Sequence, residues 1–145
     1  MRAEPLVDPK ALRGARERAE LTQHELARLI GVAGGERVSR WERGASAPRP
    51  EVLRRIAAIL DVAPRDLLTP VVGDPDLRRL RVLAGLSARD VAERTHISIA
   101  TYARWESGHI DRMPAMAALE TLAEVLGVSP GEVASALTAA RRGAG

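Results

Sequence analysis

Apolar residues recur at helical spacing along almost the whole chain, and short polar or glycine-containing breaks punctuate them. Asp8-Pro9 marks the first start, since Asp accepts from free amides and Pro fits a first turn whose amide has no partner. The pattern predicts a helix over 9–19, with residues 1–7 as a loose leader. Thr22-Gln23-His24-Glu25 has the form of a capping box and opens a helix over 23–30, with Leu26, Ala27 and Ile30 inward. Gly31 closes it. Further helices are predicted over 36–43, stopped by Gly44, over 51–60, and over 64–68 from Pro64.

The same order then returns. Asp74-Pro75 predicts a helix over 75–84, Ser87-Ala88-Arg89-Asp90 one over 88–95, and Ser98 one over 99–107. The pattern continues with a helix over 114–126 and one capped by Ser129-Pro130-Gly131-Glu132. Arg40-Trp41-Glu42-Arg43-Gly44 is echoed by Arg104-Trp105-Glu106-Ser107-Gly108, and these are the only two Trp in the chain. Such self-similarity marks two copies of one supersecondary unit. Leu12/Leu77 and Ala27/Ala92 are offset by 65, Trp41/Trp105 by 64, and Pro48/Pro114 by 66. Copy one thus has an extra residue in Ala33-Gly34-Gly35, and copy two a longer loop after its third helix. The expected architecture is all-α: two tandem five-helix domains, at 1–68 and 74–138, with a linker at 69–73 and a tail at 139–145 that frays from Arg141.

Composition narrows the chemistry. No Phe and one Tyr leave Leu, Ile, Val, Ala and the two Trp to build the cores. No Cys means no disulfide and no thiolate metal site, in keeping with a reducing cytoplasm. No signal peptide is legible at the N-terminus, and no apolar run approaches the ~18–20 residues that span a bilayer. Net charge is only +3, and it is unevenly placed: residues 1–72 hold 13 Lys/Arg and 10 Asp/Glu, residues 73–145 nine of each. The first half is better equipped to meet a polyanion.

Two short helices joined by a tight turn, the second ending Trp-Glu-x-Gly, resemble the helix-turn-helix of the phage repressor/Cro-type, or XRE-type, family. Leu21-Thr22-Gln23, Leu26-Ala27, Gly31-Val32 and Asp61-Val62-Ala63-Pro64 fit that pattern, over about 9–68 and 76–137. The resemblance implies double-stranded DNA as partner, with the helices at 36–43 and 99–107 in the major groove and the preceding helix across the backbone. It also implies an ion pair of Glu42 with Arg16 and of Glu106 with Arg81.

On the first recognition helix Val38 and Trp41 define the inward stripe, so Glu36, Ser39, Arg40 and Arg43 face out. Arg40 suits guanine and Glu36 suits cytosine, and each good pair discriminates by about 1–3 kcal/mol. The expected base contacts are Glu36, Arg37, Ser39 and Arg40 in copy one, and Ile99, Ala100, Thr101 and Arg104 in copy two. The expected phosphate contacts are Gln23, Arg43 and Arg49, with the capping residues Thr22, Ser87 and Ser98. Copy two keeps only Arg104 as a strong reader, and Ala88 stands where copy one has Gln23, so copy one is expected to carry most of the specificity. The uncapped Gly34-Gly35 start of the first recognition helix is expected to settle on DNA.

These residues point to a sequence-specific, repressor-like transcriptional regulator, cytoplasmic and nucleoid-associated, and allow two half-site readers in one chain about one helical turn apart. The competing reading is an adaptor or antitoxin-like protein whose second domain makes a homodimer or docks a partner. No enzymatic role, cofactor or metal is expected: His24, His96 and His109 are scattered, and Ser39, Ser98 and Ser107 have no legible His/Asp partners.

Overall fold

The structure, a computed structural model, describes residues 6–144; residues 1–5 of the expected leader and Gly145 lie outside it. Among the described residues the regular structure is helical, apart from one isolated bridge. They form two compact units that divide between Pro70 and Val71.

The first unit contains α1 (Pro9–Arg18), α2 (Gln23–Ile30), α3 (Gly35–Glu42) and α4 (Pro50–Leu60), followed by a 3-10 turn at Pro64–Leu67. Asp8 caps α1 by accepting from the amides of Lys10 and Ala11, and Pro9 occupies its first turn. The Thr22–Glu25 capping box at α2 is complete in both directions, at 3.0 and 2.9 Å. The core gathers the inward stripes of these helices: Leu12, Leu26, Ile30, Val38, Leu53, Ile56 and Leu67 are fully buried.

Part of the expected leader is structural. Val7 is buried and pairs with Leu68, the Thr69 amide donates to the Leu6 carbonyl at 2.8 Å, and the Asp8 amide donates to that of Leu67 at 2.9 Å. Leu6 and Val7 are apolar, so water does not hold them, and the chain leaving the 3-10 turn offers them backbone partners. The fifth helix expected at 64–68 is that single 3-10 turn.

The second unit contains α5 (Leu77–Leu83), α6 (Ala88–Thr95), α7 (Ile99–Glu106), α8 (Met116–Leu126) and α9 (Pro130–Ala144). Three boundaries differ from expectation. α5 begins two residues later than the Asp74-Pro75 signal, because Asp76 is the cap and accepts from the Arg79 amide at 2.9 Å. α8 begins after Ala115, not at Pro114; Ala115 is extended, at φ −59° and ψ 154°. The residues expected as a tail at 139–145 continue α9 through Ala144, and the reason is burial of Ala140 beside Leu137 and Ala136 on its inward stripe. The Ser129–Glu132 cap forms as expected.

Several helix ends take a left-handed residue, and the two copies distribute glycine differently among them. Gly31 corresponds to His96, Gly85 to Glu20 and Gly127 to Asp61, all at positive φ. The residue after the helix must turn back over the last carbonyls wherever the connection is short, and the smaller side-chain penalty of Gly is a preference, not a requirement.

The turn between the second and third helices carries the inserted residue. It runs over four residues, 31–34, in the first unit and three, 96–98, in the second. Gly34 sits at φ 68° and ψ 167° and gives α3 no side-chain cap, whereas Ser98 caps α7 by accepting from Thr101. Gly35 has a separate reason to be glycine: a Cβ there would stand 3.0 Å from the His24 amide nitrogen and 3.3 Å from the Gln23 carbonyl carbon. These are backbone atoms and cannot swing aside. Gly35→Ala is expected to push α3 off the start of α2 and destabilise the first unit by roughly 1–3 kcal/mol. Chemical denaturation of the full chain checks it; an unchanged midpoint for the first unit would refute the close approach.

Candidate nucleic-acid interface

Each third helix is pinned from behind by a buried ion pair. Arg16 Nε and Nη2 donate to the two carboxylate oxygens of Glu42 at 2.6 and 2.9 Å, and Nη1 donates to the Leu21 carbonyl at 2.7 Å. Arg81 repeats this with Glu106 at 2.5 and 3.2 Å and with the Leu86 carbonyl at 3.0 Å. The planar guanidinium fork suits such a bidentate partner. Its bond to Glu42 raises Arg16 above its ordinary pKa despite burial. Burial opposes the charge on Arg81, and Glu106 outweighs it in the same way. Each pair ties the first helix of a unit to the end of its third. The expected pairing of Arg16 with Glu42 and of Arg81 with Glu106 is thus present.

Gln23 joins this network in the first unit: its side-chain amide donates to Glu42 Oε1 at 3.1 Å. The group expected at a phosphate is therefore half-buried and oriented by Glu42. In the second unit the corresponding Ala88 supplies no donor, and Tyr102 replaces Val38 in the core. The Tyr102 hydroxyl is fully buried beside the Arg81–Glu106 pair, without a hydrogen bond of good geometry to either. Burial, and then the neighbouring Glu106 carboxylate, push its pKa well above the ordinary phenol range. An unpaired buried hydroxyl is a cost, so Tyr102→Phe is expected to stabilise the second unit by about 1 kcal/mol. Slower amide exchange in α7 and α9 of the variant checks this; faster exchange would contradict it.

With its back fixed, α3 presents Glu36, Arg37, Arg40 and Arg43 to solvent, while Val38 and Trp41 are buried and Ser39 is half-buried. Glu36 lies 3.5 Å from Arg43 and 3.9 Å from Arg40, all three side chains being more than 60% exposed. Pairs so exposed stabilise by about 0–1 kcal/mol, so either Arg is released at small cost to a stronger acceptor. Arg43 also donates to the Ser39 carbonyl at 3.3 Å, which lays it back along the helix. Thr22 is exposed at the start of α2, and Arg49 is exposed immediately before α4.

On α7 and at its C-cap the exposed residues are Ile99, Ala100, Ala103, Arg104 and Ser107. Thr101 is half-buried and its hydroxyl accepts from Ser98 at 2.8 Å, so both side chains take part in the cap. Ser87 caps α6 through its box with Asp90. Trp105, expected in the core, is only partly buried against it.

Arg55 was not among the expected residues. Its Nη1 donates to the Ile30 carbonyl at the end of α2, at 3.0 Å, which places a cation behind the turn that precedes α3. The signal in sequence is its register: it falls one helical turn after Glu51 on the solvent face of α4. Among the described residues no group of three or more His, Cys, Asp or Glu is placed to hold a metal, and no helix is long and apolar enough to cross a membrane.

A helix-turn-helix family model matches the chain twice, over residues 12–67 and 77–133, which are the two units with their ion pairs and paired second and third helices. The chain is therefore a tandem pair of DNA-binding helix-turn-helix domains. It belongs to the XRE-type helix-turn-helix family. No curated protein and no solved structure matches it.

Proposed function

We propose that the chain is a sequence-specific, repressor-like transcriptional regulator, with no catalytic step of its own, whose first unit supplies most of the base reading. The observation that carries this is the contrast between the two third helices. Equivalent buried ion pairs hold both, yet α3 exposes Glu36, Arg37 and Arg40 where α7 exposes Ala100 and Arg104 beside the half-buried Thr101. Arg40 reads guanine, with Arg37, Ser39 and Glu36 at flanking bases, and Ile99, Ala100, Thr101 and Arg104 form a weaker, more apolar reading surface. Gln23, Arg43 and Arg49, with the capping residues Thr22, Ser87 and Ser98, meet phosphates and set the register.

Salt dependence separates these roles. Arg43→Ala and Arg49→Ala are each expected to weaken binding equally on all sequences and to reduce the slope of log affinity against log salt by about 1. A changed base preference with an unchanged slope would remove Arg43 and Arg49 from the phosphate set.

A second reading gives the second unit to homodimerisation or partner docking, and the exposed Ile99, Met113 and Met116 favour it. An elution volume matching a dimer, with a palindromic site, would select that reading.

A further inference from the structure

Beside α3 the first unit contains a half-enclosed cleft of about 620 Å³. It lies between the turn after α2, the flank of α3 that carries Glu36, Arg37 and Arg40, and the start of α4, with Trp41 on one wall. The charged groups that line it are Arg37, Arg40, Arg49, Arg55, Glu36 and Glu51. Four guanidinium groups face two carboxylates, and Glu36 is already drawn toward Arg40 and Arg43. The field inside therefore favours an anion.

The cleft is built where the two copies differ most. Arg37 corresponds to Thr101, Arg49 to Ala115 and Arg55 to Thr121, while Glu36 and Glu51 correspond to Ala100 and Ala117. The residue inserted between α2 and α3 adds to its wall through Ala33. Arg55 is anchored by the Ile30 carbonyl, so one donor of its fork is fixed and the rest of the guanidinium has a defined position. The volume lies in the range of small-molecule sites.

We propose that this cleft binds a small molecule bearing two phosphate groups and that its occupancy competes with DNA. Arg49 and Arg55 hold one oxyanion, and Arg37 and Arg40 the other. Since Arg37 and Arg40 belong to the proposed base-reading face, an occupied cleft withdraws them from the groove. Only this regulatory consequence rests on the DNA-reading role; binding of the anion does not.

The test is a nuclear magnetic resonance titration of the full chain with inorganic pyrophosphate, with sodium chloride at matched ionic strength, and with an enriched DNA duplex. Saturable pyrophosphate shifts are expected at residues 31–33, 37, 40 and 49–55 and at the Trp41 indole. Arg55→Gln and, independently, Arg49→Ala are expected to weaken that binding roughly tenfold, the second variant leaving the Ile30 anchor intact. Pyrophosphate is also expected to lower affinity for the duplex beyond the sodium chloride effect. Shifts that follow ionic strength alone, or that survive both substitutions, overturn the site. Duplex shifts at Arg49 and Arg55 without any pyrophosphate binding show that DNA phosphate is the cleft's anion, which overturns the proposal and leaves the DNA-reading role standing. Saturable pyrophosphate binding in a chain that enriches no duplex supports the cleft and removes that role.

Discussion

Glu42→Gln is expected to unfold a large fraction of the first unit at ambient temperature while leaving the second unit folded. The Glu42 and Arg16 side chains are only 3% and 11% exposed, and two of the three Arg16 hydrogen bonds end on this carboxylate. Glutamine offers one acceptor and turns an amide toward a buried cation. Breaking a buried pair by removing one partner costs about 3–5 kcal/mol, because the remaining charge has neither water nor counter-charge. A unit of this size has on the order of 3–10 kcal/mol of total stability. Gln23 then competes with Arg16 for the one remaining acceptor and does not soften the loss. Amide exchange reads the outcome with the second unit as an internal reference. Exchange in α1–α3 is expected to approach the unfolded rate, while α5–α9 keep their protection. Full protection of α1 and α3 in the variant would show that the pair is dispensable.

Arg40→Ala is expected to do the reverse, sparing the fold and flattening the preference for bases. The side chain is 62% exposed and its one ionic neighbour, Glu36, lies at 3.9 Å, so its removal costs the unit little. At the DNA it is expected to lose about 1–3 kcal/mol of discrimination at one position, a factor of roughly 5–150. Arg104→Ala is expected to cost less, since its neighbours Ala100 and Ala103 fix no register around it. Quantitative binding to a panel of single-base variants checks both. Equal losses for the two substitutions would mean that the units share the reading.

The repeated Arg-Trp-Glu-x-Gly made the architecture legible, because each of its residue types has one structural task. Trp41 fills the core and Trp105 packs partly buried against it, Glu finds the first-helix Arg, and Gly turns the chain out of the helix. Caps with a side-chain acceptor were equally legible at Asp8, Thr22, Ser87, Ser98 and Ser129. The misread boundaries share a cause: local signals compete, and tertiary burial decides among them. Asp74-Pro75 and Asp76 are both plausible starts, and only the burial of Leu77 and Leu80 selects the second. The tail was read as a fraying terminus, but Ala140 completes a buried stripe. Val7 was hidden for the same reason, since its partner Leu68 is far away in sequence.

The outward faces were legible because helical spacing alone fixes them once the inward pair is known. Interactions across elements were not. The Gln23 bond to Glu42, the Arg55 bond to the Ile30 carbonyl and the close approach of Gly35 to His24 each join groups 11 to 25 residues apart through backbone or side-chain geometry. Glu42 and Gln23 were both singled out, but no periodicity connects them. The inserted Ala33 was visible as a change of offset, and its place in a cleft wall was not.

The central claim is that two similarly built units read DNA unequally. Selection of bound duplexes from a random pool tests it most directly. The expected result is one asymmetric motif: a strong half anchored by a guanine that Arg40→Ala erases, and a weak or absent second half. A true palindrome with two equally strong halves would contradict it.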